Sequence, residues 1–370
     1  MLILDVLLYL FIAVVCIQVI FYFLFLFQFS LVNPTISKPK SIAVSVIVCA
    51  KNEAENLKTF LPSIIEQDYP NFEIVLINDD SHDDTLEVME GFALKHSNIK
   101  LVKVKNIEAF WASKKYALTL GIKAAKNDYL LFTDADCKPV SKNWIRSMSA
   151  HFSNEKTFVF GYGAYEKKKG SFLNKLIRFE TILTAIQYFS YTKMGMPYMA
   201  VGRNLAYRKD EFFKVNGFMS HMHVRSGDDD LFVNEAASKL NTALCFTADS
   251  FTVSNPKETF KQWISQKRRH VSTASFYKPL HKTVLGLFYS SQLLFWLLAI
   301  TLLLFLFQWK LVLLLIGFRF LLQGFVFYFA SEKLRDKDVF YFFPILEFFL
   351  IISQLHIFIV NLFSKPVHWK

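Results

Sequence analysis

The sequence predicts an α/β domain, a parallel sheet with helices on its faces, framed on both sides by membrane-spanning helices. Three observations carry this. Between residues 41 and 136, apolar runs of strand length alternate with helical segments, the pattern of βαβ units. The first 30 residues and those after about 284 are almost free of charge and rich in Phe and Leu. One apolar run, residues 129–132, ends in two carboxylates one residue apart, Asp134 and Asp136. Open α/β sheets bind their ligands at that end of a strand. Two carboxylates so spaced can share one hard divalent cation, and Mg²⁺ typically binds through such groups plus substrate phosphates.

Taken in order, residues 6–29 carry no charge and are long enough to span a bilayer in helix. The run is too long for a secretory signal, and no basic segment precedes it. Asn33-Pro34 ends the helix, and Lys38 and Lys40 beyond it put this end on the cytoplasmic side. Residues 42–49 read as a strand buried on both faces. A turn at Lys51-Asn52-Glu53 leads into a helix reaching Gln67. Residues 73–77 form a second strand, capped by Asn78-Asp79-Asp80-Ser81. A helix opens at His82-Asp83-Asp84-Thr85, with carboxylates where the macrodipole favours them. Residues 99–104 are the third strand, 112–126 the third helix, and the run ending at Asp134 the fourth strand.

Beyond Asp136 the pattern loosens. Residues 141–152 read as a helix with Ser141 as N-cap, and 157–162 as a strand. Residues 172–191 are amphipathic; a helix packed on the domain and a helix in the bilayer interface both fit. Residues 201–207 read as a strand, and Ser226-Gly227-Asp228-Asp229-Asp230 enters a helix to about Leu240. Residues 243–246 follow as a strand. Residues 257–276 are helical and carry Gln266, Arg269 and His270. Three further spans cover 284–307, 311–330 and 339–363, the last two holding only Arg319 and Glu347 as charges. In lipid these two either pair with each other or line a polar path. Lys365 and Lys370 would fall on the outer side.

The chain has 42 Lys and Arg against 31 Asp and Glu, a net charge of +11. Nucleic acid, anionic lipid or a phosphorylated substrate could answer that excess. The flanking spans favour the membrane surface, and no nucleic-acid motif is present, so no nucleic-acid partner is expected. Cys16, Cys49, Cys137 and Cys245 form no C-x-x-C pair, which leaves zinc and a disulfide framework without support. Free thiols suit a reducing compartment.

Several residues could carry chemistry. A carboxylate at Asp79 or Asp80 can accept from a nucleobase or ribose. Lys114 or Lys115 can neutralise a diphosphate. The run Asp228-Asp229-Asp230 must hold a raised pKa or a cation, because adjacent carboxylates repel, and it offers a general base. Gln266, Arg269 and His270 lie within about one helical turn, where arginine suits phosphate. Each feature also has a plain structural reading: caps for the acids, a solvated face for the lysines, a lipid-facing face for the basic helix.

The ordered set Val44-Ser45-Val46-Ile47-Val48, Asn52-Glu53, Asn78-Asp79-Asp80-Ser81, Lys114, Thr133-Asp134-Ala135-Asp136, Gly227-Asp228-Asp229-Asp230-Leu231 and Gln266-x-x-Arg269 resembles the family 2 glycosyltransferases of GT-A fold. The resemblance covers roughly 42–275. The flanking spans are similar to its membrane-bound members, among them cellulose, chitin and hyaluronan synthases and ceramide glucosyltransferases. It implies a nucleotide-diphospho-sugar transferase domain, Rossmann-like, over 41–255. A transmembrane helix over 1–30 would precede it, an interfacial helix over 256–280 would follow, and three spans over 284–363 would close the chain. It implies nucleotide contacts at Glu53 and at Asp80 or Asp79, a diphosphate lysine at Lys114, and Mg²⁺ or Mn²⁺ on Asp134 and Asp136. Asp228 takes the place of the family's base. Asp229, Asp230, Gln266, Arg269 and His270 fall on the diphosphate and acceptor side.

Two departures bear on the product. Gly227 replaces the glutamate of the E-D pair, and His270 the tryptophan of Q-x-x-R-W, which in processive synthases helps position the acceptor sugar. The expectation is therefore an inverting enzyme using a UDP- or GDP-sugar and a lipid or lipid-linked glycan acceptor, in envelope or exopolysaccharide synthesis. It would sit in the plasma (inner) membrane with its catalytic domain in the cytoplasm. A processive polymer synthase and an inactive membrane scaffold are the alternatives.

Overall fold

The computed structural model describes residues 2–105, 113–224 and 226–364. Ten strands occur among them: β1 Val44–Ala50, β2 Phe72–Asp79, β3 Ile99–Val104, β4 Tyr129–Asp134, β5 Cys137–Pro139, β6 Phe158–Phe160, β7 Gly163–Tyr165, β8 Leu205–Arg208, β9 Thr242–Leu244 and β10 Thr252–Ser254. The helices are α1 Leu2–Phe25, α2 Ala54–Ile65, α3 Thr85–Lys95, α4 Ser113–Ala124, α5 Trp144–Ser149, α6 Phe172–Lys193, α7 Lys209–Lys214, α8 Asp230–Ala236, α9 Phe260–Thr273, α10 Pro279–Leu304, α11 Trp309–Lys333 and α12 Phe343–Phe363. The expected helix start at Ala112 and the lysines at 365 and 370 lie outside the described residues.

The chain divides into two compact units. One holds Pro34–Lys167 and Gly195–Lys257. Its main sheet runs β3-β2-β1-β4-β8-β6-β9. Strands β1 to β4 pair parallel with one another, as the βαβ reading expects. Strand β8 runs antiparallel to both β4 and β6, so the sheet is mixed. β1 is buried along almost its whole length because α2 and α5 cover one face. Val46, Val48, Leu57, Leu61, Leu131 and Trp144 meet there. The register pairs Cys49 with Asp134 and Ala50 with Asn78. The ends of β2 and β4 therefore flank the end of β1.

A second sheet, β5-β10-β7, stands directly after the Asp134-Ala135-Asp136 turn. Its three-residue strands left no periodic trace in the sequence.

Local side-chain bonds move several boundaries from their expected places. Ser141 is not the N-cap of α5. Its Oγ accepts the Asn143 amide in a turn, and Gln67 Oε1 accepts the helical Ile145 N–H instead. Residues 201–204 are not strand. Asn204 gives its amide to the Tyr162 and Ser250 carbonyls and accepts the Trp144 indole, which folds Gly202–Asn204 into a 3₁₀ turn. Helix α8 stops at Ala236, short of Leu240, because the Asn241 amide takes the Ala236 carbonyl.

The other unit holds the described residues up to Asn33, Lys168–Met194, and those from Glu258 on. Four of its helices are long and apolar enough to cross a membrane: Leu2–Ser30, Pro279–Leu304, Trp309–Lys333 and Lys337–Phe363. At 1.5 Å per residue, the 24 residues of α1 reach about 36 Å, more than a bilayer core needs. Phe11, Val14 and Val15 of α1 pack on Phe295, Leu298 and Leu302 of α10. The end of α1 loosens into a π turn at Leu26–Ser30. The Lys333 ammonium donates to the Phe29, Ser30 and Val32 carbonyls there, a cation at the negative end of the helix.

Arg319 and Glu347 pair, both wholly buried, with bonds of 2.5 and 2.7 Å. Gln18 and Gln323 accept from Arg319 at 2.7 and 2.6 Å, and Gln292 and Gln323 donate to Glu347 at 3.0 and 2.9 Å. Tyr22 bridges the two. One ion pair thus ties α1, α10, α11 and α12. The amphipathic α6 groups with these helices. Its Arg178 is gripped by Asp336 and Asp338, and Phe179 stacks on Phe327.

Candidate active site

The carboxyl ends of β1, β2 and β4 meet at one edge of the main sheet, and the loops leaving them are stitched together. Asn52 and Asp80 adopt left-handed backbone, with φ of 55° and 52°, where the chain turns out of β1 and β2. Ser81 Oγ accepts the Asn52 amide at 3.1 Å, and Asn52 Oδ1 accepts that of His82 at 2.9 Å. Thr85 Oγ1 accepts the Glu53 amide at 2.8 Å. Glu53 and the Asp79-Asp80 pair are thereby held in neighbouring loops. Asp79 is buried as the last residue of β2, a strand two residues longer at this end than the sequence suggested.

Lys114 stands between two acids. Its Nζ lies 2.8 Å from Asp228 and 3.4 Å from Asp134. Burial opposes the charge on all such groups; here Asp134 and Asp228 more than offset it and raise the lysine well above its ordinary pKa. Burial likewise works against the Asp228 carboxylate, and the Lys114 ammonium reverses the balance and holds it below the ordinary range. The Cys49 thiol lies in the same pocket, pushed far up by burial and then by Asp79, with Lys114, Asp228 and Asp134 also acting on it. Four of the residues singled out from sequence therefore converge around one cysteine.

The three consecutive acids have separate tasks. Asp229 caps α8: its carboxylate accepts the Asp230 amide at 2.8 Å and, across the loop, the Gly202 amide at 2.7 Å. Asp230 accepts the Leu231 amide at 2.7 Å. Asp228 pairs with Lys114. Burial, and then the charges of Asp228 and Asp230, push Asp229 up to about 7. Gly227 has φ of 93°, a conformation a glutamate would resist.

Asp134 and Asp136 can present oxygens with the Cys137 sulfur, all within 4.8 Å. Cys137 is buried, its thiol raised by burial and by Asp136, and it faces Ser254 Oγ at 2.9 Å. The hard oxygens of the two carboxylates are thus the available donors. Burial, then Asp134 and Glu53, raise Asp136.

The sequence does not single out Arg203, and it offers Lys115 only as a candidate for the diphosphate or a solvated lysine. Arg203 stacks 4.2 Å over the Tyr165 ring and donates to the Gly163 carbonyl at 2.6 Å. A methyl group at Gly163 would overlap this guanidinium, which explains the glycine. Lys115 is 1% exposed and is bonded to the turn at 221–224. Nothing local in the Lys114-Lys115 pair distinguishes a buried ammonium from a solvated one.

Gln266, Arg269 and His270 lie on α9, in the unit of long apolar helices. There α9 is fixed by Lys267 to Glu180 at 2.6 Å and by Arg268 to Asn361 at 2.9 Å. Burial lowers the Arg269 pKa.

A family model described as Glycosyl transferase family 2 matches residues 45–213. The cholesterol galactosyltransferase of Borreliella burgdorferi is 36% identical over 93 residues, 25% of this chain and 25% of that protein. Glycosyltransferase AglE of Haloferax volcanii is 26% identical over 194 residues, 50% of this chain and 58% of that protein. The chain thus spans a quarter to somewhat over half of these relatives. A mannosyltransferase of Pyrobaculum calidifontis, PcManGT, solved with GDP-Man and Mn²⁺, superposes with a TM-score of 0.59 at 18% identity, covering 90% of this chain and 99% of that one. That likeness speaks for the fold.

Proposed function

We propose that the chain, whose residues 45–213 match the family 2 glycosyltransferase model, transfers a sugar, with inversion, from a nucleotide-sugar donor to a lipid or lipid-linked glycan. The observation that carries this is the Lys114 ammonium set between Asp134 and Asp228 at the carboxyl ends of parallel strands. Glu53 and Asp79 or Asp80 would take the nucleoside, and Lys114 the diphosphate. Asp228 would remove the proton of the acceptor hydroxyl. That oxygen bonds to the anomeric carbon from the face opposite the diphosphate, the bond to the diphosphate breaks, and the nucleoside diphosphate leaves. The diphosphate and Asp228 would draw on the same ammonium. Phosphate binding would therefore release the carboxylate for its work as base.

Asp134 and Asp136 would hold the divalent cation, Mg²⁺ or Mn²⁺. Their donor set fits it: two carboxylates, one of them raised by burial and then by its neighbour's charge, beside a thiol that burial keeps protonated. When bound, such a cation offsets the charge of the departing diphosphate.

The four long apolar helices and the cholesterol galactosyltransferase relative support a lipid acceptor. Lys38 and Lys40, just past α1, support a cytoplasmic catalytic unit at the plasma membrane. The test is a donor screen on the purified full chain in detergent, reading nucleotide release with Mg²⁺ or Mn²⁺ and lipid acceptors. Release from one donor, lost in Asp228→Asn, is the expected result. Full release in that variant would exclude Asp228 as the base.

A further inference from the structure

Lys114 and Lys115 open α4, at the positive end of its dipole, where lysine is disfavoured. Both are shielded: the Lys114 side chain is 15% exposed, and Lys115 is almost fully buried. A buried ammonium is costly unless its protons are all matched. Lys114 is matched by acids. Lys115 is matched differently. Its Nζ donates at 2.8 Å to the His221 carbonyl, at 2.9 Å to the Val224 carbonyl, and lies 2.8 Å from His221 Nδ1. An ammonium can only donate, so Nδ1 accepts and the ring proton sits on Nε2. Burial, and then Lys115, push this imidazole down to about 4, in keeping with a neutral acceptor. All three protons of Lys115 are used, and all three partners belong to one turn.

That turn lies shortly before Asp228 in the chain. Adjacent side chains of one helical turn therefore grip the acidic loop at two places, Lys115 at 221–224 and Lys114 at Asp228. The grips differ in kind. Lys114 binds a carboxylate that a diphosphate can outbid. Lys115 binds main-chain carbonyls and a buried ring, which an incoming anion does not replace. Resting on the reading of Asp228 as base and Lys114 as diphosphate lysine, we propose that Lys115 is a positioning residue that keeps Asp228 in register with α4 while Lys114 changes partner. The clamp sets where the base stands; it does not itself touch substrate.

The test uses the full chain in detergent and whichever nucleotide sugar the wild type turns over. Lys115→Met keeps the length of the side chain and removes its three donors. The expected outcome is a kcat lower by about 10²-fold, as a misplacement of order 1 Å produces, with KM for the donor unchanged. Hydrogen exchange of the amides at 219–224 should accelerate while those of β1, β2 and β4 keep their protection. An unchanged kcat, or faster exchange throughout the sheet, would overturn the proposal. Should Lys115→Met not accumulate, His221→Phe removes one acceptor and keeps the ring beside Phe218. Its kcat should fall by about tenfold, the worth of one hydrogen bond to a charged group; no fall would overturn the proposal. A wild type without nucleotide release from any donor defeats the transferase reading. Unchanged exchange at 219–224 in the variant defeats the clamp whatever the activity.

Discussion

The Lys114 ammonium is shared between Asp228, at 2.8 Å, and Asp134, at 3.4 Å, so one cation serves the proposed base and the first acid of the Asp134-Ala135-Asp136 turn. Lys114→Met leaves both carboxylates without it. The expected loss in kcat/KM is about 10²–10³-fold, the usual effect of removing one donor at a developing charge. KM for the donor should rise as well. Steady-state kinetics over a range of donor concentrations checks both. An unaltered KM would separate Lys114 from the diphosphate.

Asp228→Asn should lower kcat by about 10²–10⁴-fold, the range for a lost general base. Asp228 caps no helix, whereas Asp229 and Asp230 accept the amides at the start of α8. Thermal unfolding of Asp228→Asn should therefore show only the loss of its ion pair with Lys114, which Asp134 still partners, with α8 kept formed. A large drop in Tm would mean the residue is structural.

Asp134→Asn and Asp136→Asn should each weaken binding of Mn²⁺ in the presence of nucleoside diphosphate, measured by titration calorimetry. Activity of the wild type should vanish in excess chelator and return with added metal. Transfer undiminished by chelator would remove both acids from that role.

Asp229 gives a pH dependence with a definite sign. Its carboxyl sits at about 7 in the fold, whereas an unfolded aspartate titrates near 3.9. Between about pH 4 and 7 the folded chain keeps a proton that the unfolded chain has released. This group's contribution to stability therefore declines as pH rises through that window and levels off above it. Melting curves in detergent from pH 4.5 to 8 should slope downward more steeply for the wild type than for Asp229→Asn. Parallel curves would refute the shift.

The Arg319–Glu347 pair should be costly to break on one side only. Glu347→Gln or Arg319→Met strands a wholly buried charge, at about 3–5 kcal/mol. The double variant Arg319→Met with Glu347→Met should lose less than the sum of the single changes, because no charge is left alone. Unfolding of the four proteins in one detergent gives the coupling directly; simple additivity would contradict it.

Strands β1, β2 and β4 were legible because each is an almost continuous apolar run between turn residues, a pattern set by burial on both faces, and the edge strand β3 because its apolar residues recur between exposed lysines. Asp79, Asp134 and Asp136 were legible because they stand at the ends of those runs, and Asp228 because it opens a run of three acids. The small sheet β5-β10-β7 was not, since strands of three residues are defined by partners more than 90 residues away in some pairs, such as Cys137 with Ser254. The 3₁₀ turn at Gly202–Asn204 hid for the same reason: Asn204 answers to Trp144, Tyr162 and Ser250. Arg319 and Glu347 announced a pairing through their cost in lipid. The amides that complete it, Gln18, Gln292 and Gln323, looked like isolated polar residues in apolar helices. Lys115 resembled any surface lysine until its three acceptors were seen.

That ion pair also has a consequence for how such a chain would enter a bilayer. A lone arginine near the centre of a span costs about 2.5–3.5 kcal/mol on insertion scales. In a bilayer, helix α11 would bear this cost until α12 arrives with Glu347, and Tyr22 of α1 would wait for both. The last two helices should therefore partition as a hairpin rather than one at a time. A ribosome stalled between them would hold a half-settled chain, with Arg319 still without its carboxylate.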